Sequence, residues 1–236
     1  LTARNEVALE QVAAECRQKF NVETRIFPAD LSELDGIDSL IQSLFRTDLE
    51  YGVLVINAGF AVKGEFAVTE LEHELQLLNV QLSAMIKLTK AVLPKMLERK
   101  AGRILNVASV YSFAPVPFQA VYSACKAFMM SFSASLSNEL KGTGVSVTTI
   151  YPGITQTAFR SRAGIAEKNK VAGMTAEAVA QIAYKAAMKG KSEVVPGFAN
   201  RLFVFVARHL PPSLFARVVR LINNQRGVNK FAEKVR

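Results

Sequence analysis

Arg103-Ile-Leu-Asn-Val-Ala-Ser109 and Tyr122-Ser-Ala-Cys-Lys126 are the two stretches that indicate the fold and the chemistry of this chain. The first has the length and apolar character of a buried strand, and Ser109 stands at its carboxyl end. The second carries a tyrosine and a lysine four residues apart, which share one face of a helix. Because ligands of parallel α/β sheets bind beyond the carboxyl ends of strands, Ser109, Tyr122 and Lys126 can meet in one cleft.

Strand-like and helical segments alternate along the chain, which predicts an α/β domain with a parallel sheet. Strands are predicted at Val22 to Phe27, Val53 to Asn57, Arg103 to Ala108, Val145 to Ile150 and around Glu193 to Val195. Helices are predicted at Asn5 to Phe20, Glu33 to Phe45, Glu70 to Arg99, Val121 to Lys141 and Ala176 to Lys189. Thr69-x-x-Glu72 predicts a capping box at the start of the long helix, in which each side chain satisfies a backbone donor.

The composition predicts one folded domain without metal chemistry. The chain has 236 residues, and 50% of them are hydrophobic, which is enough for one sizeable core. The only cysteines, Cys16 and Cys125, lie in helix-like segments with apolar neighbours, which favours free buried thiols and a reducing compartment such as the cytoplasm. His73 and His209 are far apart in sequence and no metal-ligand spacing occurs, so no metal site is predicted.

The positive charge is concentrated at the end of the chain. The net charge is +9, and residues 201–236 hold eight Lys or Arg residues against the single acid Glu233, which leaves +7 there and a nearly neutral body. Aromatic and basic residues are not interleaved as they are in single-strand binders, so nucleic acid is not predicted as a partner.

Residues 201–236 are therefore predicted to form a basic amphipathic extension to a catalytic domain of residues 1–200. Leu202 to Ala207 is an apolar run between two arginines, too short to span a membrane. Leu214, Val218, Leu221 and Ile222 recur at helical spacing, with arginines beside them. Such a helix packs on its own domain or a second subunit, or lies on an anionic membrane surface.

The chain order of the remaining motifs resembles the short-chain dehydrogenase/reductase family. Asn57-Ala-Gly59 follows a predicted strand, Asn79 lies in the long helix, Ser109, Tyr122 and Lys126 come next, and Pro152-Gly-Ile-Thr-Gln-Thr157 follows the strand that ends at Ile150. The resemblance covers nearly the whole chain. It implies a doubly wound, Rossmann-like parallel sheet with helices on both faces, and an NAD(P)-dependent oxidoreductase that acts on CH-OH or C=O groups.

The resemblance also implies the roles of individual residues. A catalytic tetrad would consist of Asn79, which holds a water relay, Ser109, which binds the substrate oxygen, and the acid–base pair Tyr122 and Lys126. The implied cofactor-binding residues are Arg4, Asp30, Leu31, Asn57, Ala58, Gly59, Tyr122, Lys126, Pro152, Gly153, Ile154, Thr155 and Thr157. A tight turn is the alternative for Asn57 to Gly59, and helix capping by Asp30 or Ser32 for the Asp30-Leu31 pair. Asn79 is alternatively a buried asparagine that kinks the helix, and Arg4 a solvated arginine at a helix start.

The first residues bear on the cofactor. Leu1-Thr-Ala-Arg4 is typical of the end of a strand, where family members that use NAD carry an acid. Ala3 occupies that position and Arg4 follows it, which favours NADP, since arginine pairs with a 2′-phosphate. The first strand and glycine-rich phosphate loop of the family are not in this sequence, because Gly142-Thr-Gly144 indicates only a helix-stop turn. We therefore expect a longer protein, with a gap in the sheet of this part.

The predicted function is reduction of a ketone or 3-oxoacyl-like, apolar substrate with Tyr122 as general acid. Phe113, Val116, Phe118 and Phe159 suggest an apolar pocket entrance, or else they pack inward. The basic residues Arg160, Arg162, Lys168 and Lys170 either meet an anionic carrier or form a solvated loop. The apolar segment from Ala127 to Phe132 favours a homodimer or homotetramer, and the usual oligomeric state of the family implies the same. The alternatives are a catalytically silent nucleotide-binding relative and a membrane-surface interaction protein that uses the basic tail.

Overall fold

Four parallel strands form the sheet at the centre of this protein. The computed structural model describes residues 1–157, 159 and 173–224. The basic residues Arg160, Arg162, Lys168 and Lys170, predicted to lie in a loop, are therefore outside the described residues. The strands are β1 (Val53–Ile56), β2 (Gly102–Val107), β3 (Val145–Ile150) and β6 (Glu193–Val194), in the spatial order β1-β2-β3-β6. Val53 is level with Arg103, Gly102 with Val145 and Thr149 with Glu193. The two-residue strands β4 (Thr155–Gln156) and β5 (Met174–Thr175) pair separately.

Helices cover both faces of this sheet, as the sequence predicts. They are α1 (Glu6–Phe20), α2 (Leu34–Phe45), α3 (Leu71–Leu78), α4 (Ala84–Glu98), α5 (Ala120–Glu139), α6 (Ala176–Met188), α7 (Phe198–His209) and α8 (Pro212–Asn224). Neighbouring residues of β2 show the two faces. Ile104 packs beneath α4 with Val92 and Met96, whereas Leu105 packs against Ala183 and Ala187 of α6. The doubly wound, Rossmann-like class is therefore confirmed.

The prediction of a strand at Val22 to Phe27 is wrong, because residues 21–30 form no strand. Only short backbone pairing with the first residues occurs. The Phe27 N–H donates to the Leu1 carbonyl at 2.8 Å, and the Ala29 N–H donates to the Ala3 carbonyl at 3.1 Å. In the described part of the chain the four-stranded sheet ends at β1, whose Val53 and Val55 side chains are exposed.

The predicted long helix from Glu70 to Arg99 is broken in the middle by a π-helical turn at Asn79–Ser83, which joins α3 to α4. Its predicted capping box is also wrong. Glu70 takes the N-cap position without a side-chain cap, and the Thr69 hydroxyl donates to a carboxylate oxygen of Glu74 at 2.9 Å. The helix therefore begins one residue later than a box anchored on Thr69 requires.

The predicted helix-stop turn is present, and both cysteines are free as predicted. Gly142 and Gly144 both have positive φ, and a Cβ on Gly144 would lie 1.8 Å from the Lys100 carbonyl oxygen, so this helix-stop turn needs glycine. Both cysteines are free, but only Cys125 is buried, since Cys16 is half-exposed. Burial raises the pKa of the Cys125 thiol to about 11, which keeps it neutral.

The last described residues form two helices that pack on the catalytic domain through one face each. Ala207 of α7 and Phe215 and Val219 of α8 form a buried cluster with Ala114 and Val116. Because α7 begins at Phe198, the helix runs across the predicted domain boundary at residue 200. In the described ranges, no helix is long and apolar enough to cross a bilayer.

Candidate active site

The end of strand β2 delivers Ser109 to the carboxyl edge of the sheet. A 3-10 turn at Val110–Phe113 follows at once, and the Ser109 Oγ accepts a hydrogen bond from the Tyr111 N–H at 3.2 Å. The first turn of α5 brings Tyr122 to the same place, where the Ser109 and Tyr122 hydroxyls share a hydrogen bond. Both side chains are buried. Serine and tyrosine, thirteen residues apart in sequence, therefore form one polar pair.

Lys126 lies one helical turn after Tyr122 and is buried beside it. Its Nζ is 5.7 Å from the centroid of the Tyr122 ring, within the range of a cation–π contact. The ammonium donates to the carbonyl oxygen of Val107 at 2.9 Å and lies 3.4 Å from the sulfur of Met129. These contacts fix the lysine under the phenol.

Burial decides the protonation of both groups. It raises the pKa of Tyr122 above its ordinary value of 10, although the hydrogen bond with Ser109 acts in the opposite direction. It lowers the pKa of Lys126 to about 8. At neutral pH the phenol therefore carries its proton and the lysine still carries its charge. A protonated phenol next to a cation can donate a proton, because the cation stabilises the phenolate that forms.

These three residues line a pocket of about 790 Å³ that extends from the carboxyl ends of the strands along Val55 and Leu105 to helix α6. The pocket is also lined by most of the predicted cofactor-binding residues, namely Asn57, Gly59, Pro152, Gly153, Ile154, Thr155 and Thr157. Phe159 and Tyr111 close one side, with ring centroids 6.0 and 6.4 Å from that of Tyr122. Sequence motifs separated by a hundred residues thus meet around one cavity.

Some predicted site residues lie outside this lining. The Asn79 amide donates to the Ser32 carbonyl oxygen at 2.8 Å, so its side chain links the π-helical turn to the turn before α2. Arg4, Asp30, Leu31 and Ala58 also lie outside the lining of the pocket. Their cofactor roles stay predictions.

Arg4 and Asp30 nevertheless lie close together, because each directly follows one of the two paired segments at residues 1–3 and 27–29. The Arg4 guanidinium is 3.8 Å from the Asp30 carboxylate, and both side chains are largely exposed. Asp30 accepts hydrogen bonds from the N–H and the hydroxyl of Ser32, which closes a turn just before α2. Burial alone would raise the pKa of Asp30, but these bonds and Arg4 lower it, so the carboxylate is ionised. The competing prediction of helix capping is thus only partly right, because Glu33 holds the N-cap position.

The apolar residues suggested as a pocket entrance divide into two groups. Phe159 lines the pocket. Phe113 packs inward on Tyr151, with ring centroids 4.7 Å apart, and Val116 is buried against α7 and α8. The inward alternative therefore holds for these two.

Sequence reasoning missed many lining residues, of which three carry polar side chains that reach the pocket. Lys63, Gln119 and Tyr184 border the pocket, from the loop after β1, the residue before α5 and the middle of α6. Only the position of Gln119, three residues before Tyr122, offered a sequence signal. In the parts of the chain that are described, no three His, Cys, Asp or Glu side chains form a metal-binding group.

Comparison with known proteins shows the family of this chain. The family model for the short chain dehydrogenases matches residues 1–168. The chain belongs to the short-chain dehydrogenase family. The very-long-chain 3-oxoacyl-CoA reductase of Mus musculus is 37% identical over 156 residues, which are 64% of this chain and 49% of that protein. This short-chain dehydrogenase therefore spans about half the length of the relative.

Two further relatives extend the match. Dehydrogenase/reductase SDR family member 7B of Mus musculus is 30% identical over 231 residues, which are 93% of this chain and 71% of that protein. The crystal structure of a short-chain dehydrogenase from Sphingobium yanoikuyae in complex with NADPH superposes with a TM-score of 0.78 at 26% identity, covering 98% of this chain and 86% of that one. The similarity thus extends over α7 and α8.

Gly153 of this short-chain dehydrogenase is expected to tolerate no side chain. A Cβ there would lie 2.1 Å from the Asn200 Oδ1, and the Asn200 amide is held by the Pro196 carbonyl at 2.6 Å. Gly153→Ala should therefore lower the free energy of unfolding by about 1–3 kcal/mol in urea denaturation. Gly52→Ala is the control, since nothing lies within 4 Å of a Cβ at Gly52.

The double variant Gly153→Ala/Asn200→Ala separates this clash from a general effect of glycine replacement. Removing the amide should restore most of the lost stability in a double-mutant cycle. A cycle in which the two losses simply add would show that the Asn200 contact is not the cause.

Proposed function

We propose that this chain reduces a carbonyl group to an alcohol with NADPH, using Tyr122 as the proton donor. The observation that supports this most strongly is the buried cluster of Ser109, Tyr122 and Lys126 at the pocket wall. The phenol shares a hydrogen bond with the serine hydroxyl, and the ammonium lies 5.7 Å from the centre of its ring. Such an arrangement suits proton transfer to a carbonyl oxygen.

The residues around the pocket fit a nicotinamide dinucleotide. The loop after β1 contributes Asn57 and Gly59, and the segment after β3 contributes the Thr155 and Thr157 hydroxyls as hydrogen-bonding groups. Gly153 also lines the pocket, at a position where any side chain would meet Asn200. When bound, the reduced cofactor supplies a hydride to the carbonyl carbon.

The protein's own groups handle the proton. The Ser109 hydroxyl donates a hydrogen bond to the substrate oxygen and holds it near Tyr122. The phenol then gives its proton to the oxygen as negative charge develops there, and the charge of Lys126 stabilises the resulting phenolate. We propose that Asn79 anchors, through the backbone of the π-helical turn, a water molecule that resupplies the proton. The Asn79 side chain itself is engaged with Ser32.

An apolar ketone or a 3-oxoacyl-like compound is the proposed substrate class. The pocket wall next to Tyr122 is built from Val110, Tyr111, Ile154 and Phe159, without a carboxylate. The name of the mouse relative, a very-long-chain 3-oxoacyl-CoA reductase, supports the same class. We also propose that the protein is cytoplasmic and forms a homodimer or homotetramer. The exposed Phe128 on α5, which stacks on the partly buried Phe132 at 6.1 Å between centroids, supports the oligomer.

Loss of NADPH absorbance, measured on the full-length protein with a panel of ketones, steroids and 3-oxoacyl thioesters, tests the proposed function. We expect turnover of at least one apolar carbonyl compound and little turnover of small polar ketones. Tight NADPH binding without turnover of any compound would instead support a catalytically silent nucleotide-binding protein.

Arg4→Gln is expected to weaken NADPH binding by about tenfold or more while leaving NADH binding unchanged. The expected loss is that of one charge-assisted hydrogen bond to the 2′-phosphate. Tryptophan is absent from the chain, so titration calorimetry is the suitable measurement. Arg25→Gln is the control, because Arg25 is exposed and pairs with Glu23 at 2.8 Å. Equal losses for both cofactors would remove Arg4 from the proposed 2′-phosphate site.

A further inference from the structure

The outer face of helix α7 is apolar where a surface helix normally carries polar side chains. Phe198, Leu202 and Phe205 follow one another at intervals of four and three residues, which places them in one stripe. Their exposed fractions are 80%, 52% and 60%. The opposite side of the helix carries the buried Val204 and Ala207. Helix α7 is therefore apolar on both its inner and its outer side.

Helix α8 repeats this pattern. Leu214, Val218 and Leu221 have the same spacing of four and three residues and exposed fractions of 45%, 45% and 65%. Phe215 and Val219, on the other side, are buried against the domain. Two consecutive helices thus present outward apolar stripes, which we call the C-terminal apolar face, defined by these three residues of α8 and by Phe198, Leu202 and Phe205 of α7.

The charges beside this face are all of one sign. Residues 198–224 contain four arginines and no acid. Arg208 lies 3.7 Å from Glu193, while Arg201, Arg217 and Arg220 have exposed positions on α7 and α8. A face that combines exposed Phe and Leu side chains with arginines, and has no acid of its own, complements a surface that is both apolar and anionic.

We propose that the C-terminal apolar face binds the surface of an anionic lipid bilayer. The apolar stripes would enter the boundary between headgroups and acyl chains, and Arg201, Arg217 and Arg220 would contact the headgroup phosphates. Neither helix is long and apolar enough to cross the bilayer, so the contact is peripheral. Because lipid binding requires no turnover, its test is independent of the proposed reduction.

The face lies close to the candidate active site. Phe203 of α7 contacts Phe215 on one side, at 5.4 Å between ring centroids, and Tyr111 on the other, at 6.3 Å. Tyr111 in turn contacts Tyr122 at 6.4 Å. Bilayer binding would therefore place the pocket wall within a few side chains of the lipid.

Co-sedimentation with phosphatidylcholine vesicles, with and without phosphatidylserine, tests this proposal. The purified protein should bind the phosphatidylserine vesicles at low salt, and raised salt should weaken the binding. Phe198→Ser/Leu202→Ser/Phe205→Ser should lower binding by at least about tenfold, because it removes the apolar stripe of α7. The matched control is Phe20→Ser/Leu71→Ser, since both residues are exposed to 69% but lie on other helices.

A second variant separates charge from apolar contact. Arg201→Gln/Arg217→Gln/Arg220→Gln should lower binding to phosphatidylserine vesicles by at least about tenfold and remove most of its salt dependence. Wild-type protein that stays in the supernatant with both kinds of vesicle would overturn the proposal. So would loss of a lipid-free oligomer in the triple serine variant, because a second copy of the chain would then be what covers this face.

Discussion

Tyr122→Phe is expected to lower kcat by about a thousandfold or more, because it removes the hydroxyl that is proposed to give its proton to the carbonyl oxygen. Phenylalanine keeps the ring, which packs on Tyr111 and Phe159, so the fold should persist. NADPH binding should remain measurable. Stopped-flow or steady-state loss of NADPH absorbance is the measurement.

Tyr184→Phe provides the matched control for this substitution. Tyr184 also borders the pocket but is mostly exposed on α6, so loss of its hydroxyl should change kcat by less than about threefold. A Tyr122→Phe protein that keeps more than a tenth of wild-type activity would remove the phenol from the proton-transfer step.

Lys126→Met is expected to remove activity and to stabilise the protein at the same time. The ammonium is buried, and burial lowers its pKa from 10.5 to about 8. Each unit of that shift corresponds to about 1.4 kcal/mol of destabilisation of the charged form, and loss of the hydrogen bond to the Val107 carbonyl removes about 1 kcal/mol of the gain. The net gain at neutral pH is then roughly 2 kcal/mol, and kcat should fall by about a hundredfold or more.

The pH dependence of this gain identifies its cause. Below pH 8 the lysine is charged in both the folded and the unfolded states, so the full destabilisation is present. Between about 8 and 10.5 the unfolded state binds more protons than the folded state, so the wild-type protein becomes more stable as pH rises. The advantage of Lys126→Met should therefore be largest near pH 7 and fade towards pH 10.5 in urea titrations.

Lys141→Met is the control, because Lys141 lies exposed just after α5. Its stability should follow that of the wild-type protein at every pH. A Lys126→Met protein that is less stable than wild type at pH 7 would show that the buried ammonium does not destabilise the folded protein.

The sheet and its flanking helices were predictable because their signals are local. Val145 to Ile150 is rich in β-branched residues, and the strand has those bounds. The helix predicted at Ala176 to Lys189 ends one residue earlier. Ser109, Tyr122 and Lys126 were predictable as a group because strand ends and one helix face fix where they must lie.

Features that depend on distant partners were not predictable in this way. Val22 to Phe27 has strand-like residues, but a strand requires a paired ladder, and only residues 1–3 provide a partner. The sequence offered a helix kink at Asn79 only as an alternative, because the π-helical turn at Asn79–Ser83 depends on a single shift in hydrogen bonding within a helix. The lowered pKa of Lys126 arises from burial by several elements at once, which no single motif encodes.

Transfer of deuterium tests the central claim most directly, because it follows the hydride itself. The protein would be incubated with an accepted apolar ketone and NADPH deuterated at the reactive ring carbon, and the alcohol analysed by mass spectrometry. A short-chain reductase that uses Tyr122 should place one deuterium on the carbinol carbon, and the Tyr122→Phe variant should form almost no alcohol. Alcohol without deuterium, or equal labelling by both proteins, would contradict the proposed chemistry.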